Sequence, residues 1–292
     1  MADRYGPASP ALRAVPRFSV VIPAVNESLY IGRCLESLAA QDFAGGIEVI
    51  VVDNNSIDDT AAIARSMGAI VVSEPEPGVC FARQRGTEIA RGEYVVSTDA
   101  DTTFDPGWLS RIDAQLRRRP QAVAVAGPCR WVACPWWGTP YASVLFGCVN
   151  LMFLLTGRVI YASAANIAFR RDAWSGYDTR LTQGGDELDL LRQLRQQGKI
   201  VFDIHNWIYT SSRRLRRGLI YSVLVTCLYY YVLAYVLNRV LHRQVLGTAP
   251  QFRYAGEDVE PARSPWRNRL AAVGAVIVLV VFVRFASVEG FV

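Results

Sequence analysis

The sequence predicts an α/β fold with a mostly parallel sheet flanked by helices, followed by C-terminal membrane helices. In the first half of the chain, short apolar runs alternate with stretches of helical spacing, which is the pattern of βαβ units. The second half contains long uncharged stretches, and one of them is close to the length that crosses a hydrocarbon core. Hydrophobic residues make up 51% of the 292 residues and charged residues 20%, which excludes a disordered chain.

The predicted strands are short apolar runs, and polar residues close several of them. They cover residues 18–24, 47–53, 69–73, 93–98 and 123–126. The helices predicted between them begin near Ile31 and cover residues 60–67, 81–91 and 106–119. Ligands bind at the carboxyl ends of the strands in such sheets, so the residues that follow each strand are the ones to inspect for function.

Acidic side chains are concentrated at these strand ends, namely at Glu27, Asp53, Glu76, Asp99 and Asp101. They would repel one another without a cation or a hydrogen-bonding ligand. Two carboxylates separated by one residue, as in Asp99-Ala-Asp101, can hold a hard divalent cation, Mg²⁺ or Mn²⁺, with room for diphosphate oxygens. Taken alone, this pattern is more often a cap or a surface turn.

The Asp99-Ala-Asp101 pattern is one of five motifs that follow one another along the chain. They cover residues 20–27 (VVIPAVNE), 51–60 (VVDNNSIDDT), 78–86 (GVCFARQRG), 99–101 (DAD) and 185–190 (GDELDL), the last followed by Gly198. In order and spacing, the chain resembles a family 2 glycosyltransferase with the GT-A fold, a nucleotide-diphospho-sugar transferase. The resemblance implies a catalytic domain at residues 17–212. Residues 1–16 lack an apolar core and are expected to form a flexible N-terminus, and the apolar segments within residues 213–292 predict a membrane-associated region.

The resemblance also implies roles for residues of the donor site. Pro23, Asn26 and Glu27 are expected to form the wall of the nucleoside pocket, although helix capping is an alternative for Glu27. Asp53 is expected to hydrogen-bond the base or the ribose. Arg83 is expected to reach the diphosphate, with a solvated helix face as its alternative.

Asp99 is expected to contact the donor, and Asp99 and Asp101 are expected to hold the metal ion. The acidic pair Asp186-Glu187 lies where the family carries its acidic pair at the start of a helix. Spacing to Gly198 assigns the general base to Glu187, although Asp186 stays an alternative with helix capping as its other role. The positive end of the helix dipole is expected to keep the base ionised. One base and no carboxylate nucleophile imply an inverting displacement.

Two further features bear on the acceptor. Asn166 resembles a family position on the acceptor side, and a turn residue is its alternative role. The Gln-x-x-Arg-Trp motif of the processive relatives is missing from the sequence, which indicates transfer of a single sugar.

Two apolar segments, 219–237 and 270–288, predict membrane association, the second with Arg284 reaching to the interface. Four arginines within residues 211–217 either bind lipid phosphate or obey the positive-inside rule, and the rule places the catalytic domain in the cytoplasm at the cell membrane. Because the loop 238–269 is also rich in arginine, segment 219–237 either spans against that rule or lies in the membrane plane. The uncharged stretch 132–157 is predicted to be a core helix rather than an interface contact.

These expectations combine into transfer of a hexose from a UDP- or GDP-sugar to a membrane-associated acceptor, such as a polyprenyl phosphate or a lipid-linked glycan. A non-catalytic membrane-bound scaffold is the alternative. Sugar-nucleotide synthesis is disfavoured because the loop after the first strand lacks the Gly-rich, basic character that it requires. Two histidines leave little material for Ser-His-Asp chemistry, and no clustered basic and aromatic motif indicates nucleic-acid binding.

Overall fold

The computed structural model describes residues 15–179 and 186–222. The predicted N-terminal lead-in lies almost entirely outside these residues. Segment 270–288 and most of segment 219–237 also lie outside them, so the predicted membrane helices stay predictions.

Ten strands and six α-helices make up this part of the chain. In chain order they are β1 Phe18–Ala24, α1 Ile31–Ala39, β2 Ile47–Asp53, α2 Thr60–Ser66, β3 Ile70–Ser73, α3 Val79–Ile89, β4 Tyr94–Ser97, β5 Thr102–Phe104, α4 Trp108–Arg118, β6 Ala122–Ala126, β7 Cys129–Val132, α5 Gly138–Thr156, β8 Ile167–Arg170, α6 Asp186–Gln197, β9 Lys199–Phe202 and β10 Ile208–Ser211. Two short 3₁₀ helices, Arg171–Ala173 and Arg213–Arg217, complete the list.

The central sheet has seven strands in the order β3-β2-β1-β4-β8-β6-β9. All neighbouring pairs are parallel except those of β8, which runs antiparallel to both β4 and β6. The fold is therefore α/β with a mostly parallel sheet flanked by helices, as the sequence predicts. The inner strands are buried on both faces, and this explains why they are continuous apolar runs rather than alternating ones.

Helix α3 approaches this sheet closely at Gly86. A Cβ atom added there would lie 2.4 Å from Val21 Cγ1 and 2.9 Å from Val52 Cγ2. Glycine thus lets the helix backbone sit directly on β1 and β2. This packing fixes the position of the polar residues that α3 carries toward the carboxyl edge of the sheet.

The structure has a second sheet, with three strands in the order β5-β10-β7. Strand β10 runs antiparallel to β5 and parallel to β7. The sequence pattern did not predict β10, yet the strand matters for function because it leads directly into the 3₁₀ helix Arg213–Arg217.

Helix α5 differs in part from its prediction as a core helix. Its buried residues are Gly138, Ala142, Phe146 and Val149, which form one narrow stripe. Only 22% of its apolar window is buried, and by length and composition alone it is the one helix within residues 15–179 and 186–222 that could cross a membrane. The core-helix prediction holds for one face of α5 and not for the other, because uncharged composition does not show which faces of a helix have partners.

Candidate functional site

The residues singled out at the strand ends lie at one edge of the central sheet. Strands β1, β2 and β4 are parallel, and the register pairs Ala24 with Asp53 and Val21 with Ser97. The carboxyl ends of these strands therefore meet, and the loops that carry Glu27, Asp53 and Asp99 leave from the same side.

The loops after β1 and β2 are joined by hydrogen bonds. Asn26 has a φ of +52°, a left-handed conformation that asparagine tolerates better than most residues. Its backbone N–H donates to Ser56 Oγ at 3.0 Å, and its side-chain oxygen accepts from the Ile57 N–H at 2.9 Å. Asp53 Oδ1 accepts the Ser56 N–H at 3.1 Å. These contacts hold Asn26 and Asp53 at a common wall, as a nucleoside pocket would need.

Asn54 links a third loop to this wall, a role that the sequence analysis did not predict. Its amide nitrogen donates to the carbonyls of Glu74 and Glu76 at 2.8 and 2.7 Å, and its oxygen accepts the Gly78 N–H at 2.8 Å. An ionised carboxylate at this position cannot donate to the two carbonyls. The amide of Asn54 therefore fastens the loop after β3 to the loop after β2.

Arg83 joins two acidic centres that are far apart in the sequence. From α3 its guanidinium donates to Asp99 Oδ1 at 2.9 Å and forms an ion pair with Asp186 at the start of α6. The side chain is buried, so the alternative of a solvated helix face is wrong. Burial alone would lower the pKa of Arg83, but the charges of Asp186 and Asp99 outweigh it and raise that pKa above its ordinary value.

Arg213 is a second bridging cation, and its contacts were not predicted. Its Nη2 lies 2.9 and 3.0 Å from the two carboxylate oxygens of Glu27 and 2.7 Å from Asp101 Oδ2. The guanidinium also sits 4.7 Å from the centre of the Tyr30 ring. Burial opposes the charge of Arg213, but Asp101 and Glu27 raise its pKa overall. The carboxylates after β1 and β4 thus converge on one arginine.

Glu187 is buried at the first turn of α6, beside Asp186. Burial is the largest cause that raises the pKa of Glu187 well above its ordinary value, and the charge and hydrogen bond of Asp186 add to the rise. Arg83 and Arg214 partly offset it. Desolvation and the neighbouring carboxylate therefore influence the pKa of Glu187 more strongly than the N-terminus of α6 does.

The donor atoms at this edge suit a hard divalent cation. Asp99 and Asp101 offer carboxylate oxygens, the ligand type that Mg²⁺ and Mn²⁺ prefer. No group of three or more His, Cys, Asp or Glu side chains with metal-ligand geometry occurs in the described part of the chain. Instead, Arg83 and Arg213 compensate the two aspartates. Two carboxylates alone leave a divalent cation short of ligands, so a metal ion on Asp99 and Asp101 stays a prediction.

Asn166 precedes β8 at the same edge, but its side chain is buried and fully used within the protein. Its amide nitrogen donates to the carbonyls of Pro128 and Asn206, both at 2.9 Å, and its oxygen accepts from Trp108 Nε1 at 3.0 Å. These bonds fasten the start of β8 to neighbouring loops. A direct role for Asn166 on the acceptor side stays a prediction.

Comparison with known families supports the motif resemblance. A family model described as glycosyl transferase family 2 matches residues 19–176, which is more than half of the chain. The chain belongs to glycosyl transferase family 2. The match includes the edge carboxylates Glu27, Asp53, Asp99 and Asp101, and it ends before Asp186 and Glu187.

Several curated proteins with similar sequences are named as glycosyltransferases. An uncharacterized glycosyltransferase of Mycobacterium tuberculosis is 39% identical over 113 residues, which cover 36% of this chain and 50% of that protein. The low-salt glycan biosynthesis hexosyltransferase Agl6 of Haloferax volcanii is 30% identical over 175 residues, or 57% of this chain and 41% of that protein. The chain spans about half the length of the curated relatives it matches.

Solved structures show the same fold at low sequence identity. The mannosyltransferase PcManGT from Pyrobaculum calidifontis, in complex with GDP-Man and Mn²⁺, has a TM-score of 0.60 at 18% identity and covers 94% of this chain and 76% of its own. TarS 1-349 of S. aureus has a TM-score of 0.55 at 22% identity and covers 77% of this chain and 72% of its own. This family 2 chain therefore has the GT-A fold.

Proposed function

We propose that this protein transfers a single hexose from a UDP- or GDP-sugar to a membrane-associated acceptor, with inversion at the anomeric carbon. The observation that carries the proposal is the bridge of Arg83 between Asp99 and Asp186. It brings the donor side, at the end of β4, next to the acidic pair that begins α6. A donor bound at the carboxyl edge would thus have a proton acceptor near its anomeric carbon.

The chemistry follows from the residues at each side. The ionised carboxylate of Glu187, or of Asp186, accepts the proton of an acceptor hydroxyl as that oxygen attacks the anomeric carbon. The bond from this carbon to the diphosphate oxygen breaks, and the nucleoside diphosphate leaves. For a polyprenyl phosphate the attacking oxygen is already ionised, so the base has less to do. Since attack and departure occur on opposite faces, the configuration inverts.

Asp99 and Asp101 would hold a divalent cation, which supplies charge neutralisation to the leaving diphosphate when it is bound. Asp53 and the wall formed by Pro23, Asn26 and Glu27 would hold the nucleoside. The GDP-Man and Mn²⁺ bound to PcManGT support a nucleotide-sugar donor and a divalent cation as the class of ligand for this fold.

The acceptor and the location belong to the same proposal. The uncharged segment 219–237 and the exposed Arg216 and Arg217 before it favour a protein at the cell membrane with the catalytic domain facing the cytoplasm. Lipid-linked glycans and polyprenyl phosphates are acceptors that such a location makes accessible.

Turnover assays test the proposal directly. The full chain is incubated with UDP- and GDP-sugars, Mn²⁺ or Mg²⁺, and either a polyprenyl phosphate or a lipid-linked glycan. We expect release of the nucleoside diphosphate with one donor and acceptor pair, and NMR of the product should show the opposite anomeric configuration to the donor. Retention would contradict the inverting mechanism, and absence of both turnover and nucleotide binding would contradict the function.

Calorimetry separates the enzyme from the alternative of a non-catalytic scaffold. An enzyme of this design should bind UDP or GDP more tightly with Mn²⁺ than with EDTA, and the Asp101→Asn variant should lose that difference. A scaffold would give no metal-dependent heat.

A further inference from the structure

Helix α5 exposes an apolar stripe on the side opposite its buried one. Along it lie Val144, Leu151, Leu154 and Leu155, spaced at helical intervals, and the last two are 71% and 72% exposed. The helix contains no charged residue over its 19 positions. A continuous apolar surface of this kind is rare on a soluble monomer and marks an interaction site.

The surface extends beyond the start of the helix. Trp136, directly before α5, is 63% exposed, and Val132 at the end of β7 is exposed as well. Tryptophan is the residue type enriched where protein meets the boundary between lipid and water.

The stretches of sequence on either side of α5, and the segment after β10, contain arginines and no acidic residue. From Ala114 to Arg171 the sequence contains no Asp or Glu, and none occurs from Ile204 to Ser222. Arg158 follows the C-terminal end of the helix. Arg216 and Arg217 lie near its N-terminal end, because a Cβ atom at Gly138 would meet Leu215 Cδ1 at 3.1 Å. The partner of the stripe should therefore combine an apolar interior with an anionic border.

Helix α5 cannot cross a membrane in this fold. It connects β7, in the three-stranded sheet, to β8, in the middle of the central sheet. A crossing would place these two strands on opposite sides of the bilayer. Any contact of this helix, which is about 28 Å long, with a bilayer would therefore run along the surface, with the stripe facing the lipid.

We propose that α5 docks in the plane of an anionic lipid bilayer, with Leu151, Leu154 and Leu155 in the acyl region and the flanking arginines among the headgroups. This inference extends the proposed function, since a bilayer at α5 is where a membrane-associated acceptor is found. Its test requires no sugar transfer, so its failure and a failure of the proposed activity can be told apart.

Depth-dependent fluorescence quenching in the full chain tests this docking at the stripe itself. In a background with Cys134, Cys148 and Cys227 replaced by Ser, a fluorophore is attached to Leu154→Cys. Val15→Cys, at an equally exposed apolar residue before β1, is the matched control. The protein is bound to vesicles of equal parts phosphatidylcholine and phosphatidylglycerol, with or without bromine on the acyl chains, and iodide is the aqueous quencher. Leu151→Cys repeats the measurement at a second position of the stripe.

Brominated lipid should quench the labels at 151 and 154 severalfold more than the label at 15. Iodide should quench the label at 15 more than the labels at 151 and 154. Quenching of the stripe labels by iodide would place α5 in water and overturn the proposal. If neither brominated lipid nor iodide quenches the stripe labels, protein covers the stripe, and the proposal is overturned as well. The covering protein would be residues 223–292 or a second copy of the chain. In phosphatidylcholine alone the lipid quenching at 154 should fall, and an unchanged value would exclude the anionic requirement.

Discussion

Glu187 sits in conditions that disfavour its ionised form, and this matters for a residue proposed to accept a proton. Its pKa is raised above the ordinary 4.5 by burial and by Asp186. Because the base works only when ionised, the proposed activity should fall on the acid side at a pH above that ordinary value. A base with a pKa moved toward neutrality also takes up a proton more readily in the transition state.

The Asp186→Asn and Glu187→Gln variants should separate the two candidates for the base. With an acceptor that attacks through a hydroxyl group, replacing Glu187 should lower kcat by roughly 10²–10⁴-fold, the usual contribution of a general base. Replacing Asp186 removes a charge that raises the pKa of Glu187, so the acid limb of the profile of kcat/KM against pH should move to lower pH. The measurement is that profile for the wild type and both variants.

The opposite assignment has a distinct signature. If Asp186 is the base, Asp186→Asn should abolish turnover, while Glu187→Gln should retain much of it. Circular dichroism of both variants serves as the control for folding, because Asp186 also pairs with Arg83.

Arg213 stands between two carboxylates where a cation is proposed to bind. Since its guanidinium compensates Glu27 and Asp101, Arg213→Gln should leave a more negative potential and tighten Mn²⁺ binding without nucleotide by about tenfold, which is about 1.4 kcal/mol. Calorimetric titration with Mn²⁺ in the absence of nucleotide measures the Kd of Mn²⁺ for the wild type and the variant. Arg91→Gln is the matched control, because Arg91 pairs with Glu48 near the start of β2. Weaker Mn²⁺ binding would instead show that Arg213 positions the carboxylates.

At the scale of elements, the packing of α3 on the sheet depends on one glycine. The Cβ atom of Gly86→Ala would clash with Val21 and Val52, and overpacking of this kind costs roughly 1–3 kcal/mol. Urea denaturation followed by tryptophan fluorescence should show that loss. Gly147→Ala in α5, where a Cβ atom meets nothing within 4 Å, should instead gain roughly 0.8–1.0 kcal/mol from helix propensity. Equal effects at the two sites would contradict the close approach.

Elements with a strong local pattern were predicted well, and those that depend on distant partners were not. Strands β1 and β2 were predicted at their observed bounds because each is a continuous apolar run closed by polar residues. Strand β10 was missed because it is a four-residue strand of mixed polarity, held in the middle of its sheet by pairing with β5 on one side and β7 on the other. The exposed stripe of α5 was missed for a related reason, since sequence shows what a helix is made of but not what covers it.

The residues of the site also divide into those that the sequence predicted and those that required the structure. The carboxylates at the strand ends were predicted because a parallel sheet brings the carboxyl ends of its strands together. The bridging arginines required the three-dimensional structure: Arg213 is 112 residues from Asp101, and Arg83 is 103 residues from Asp186. In the sequence, Arg213 is one of four arginines near an apolar segment, so its charge was assigned to the membrane instead.

At the scale of the whole molecule, the site joins α3, α6, the loops of the central sheet and the segment after β10. A ligand that bridges these parts should therefore stabilise the whole folded domain. At a hundredfold excess over its Kd, a nucleoside diphosphate with Mn²⁺ should add about 2.7 kcal/mol to the free energy of unfolding. For a domain of this size this is a rise in Tm of roughly 5–10 °C.

Calorimetric melting with the nucleotide plus Mn²⁺, compared with the nucleotide plus EDTA, measures the share of this stabilisation that depends on the cation. The Asp101→Asn variant should lose that share while its melting in EDTA stays cooperative. If the Tm of the wild type is the same with the nucleotide plus Mn²⁺ as with the nucleotide plus EDTA, Asp99 and Asp101 do not hold the cation.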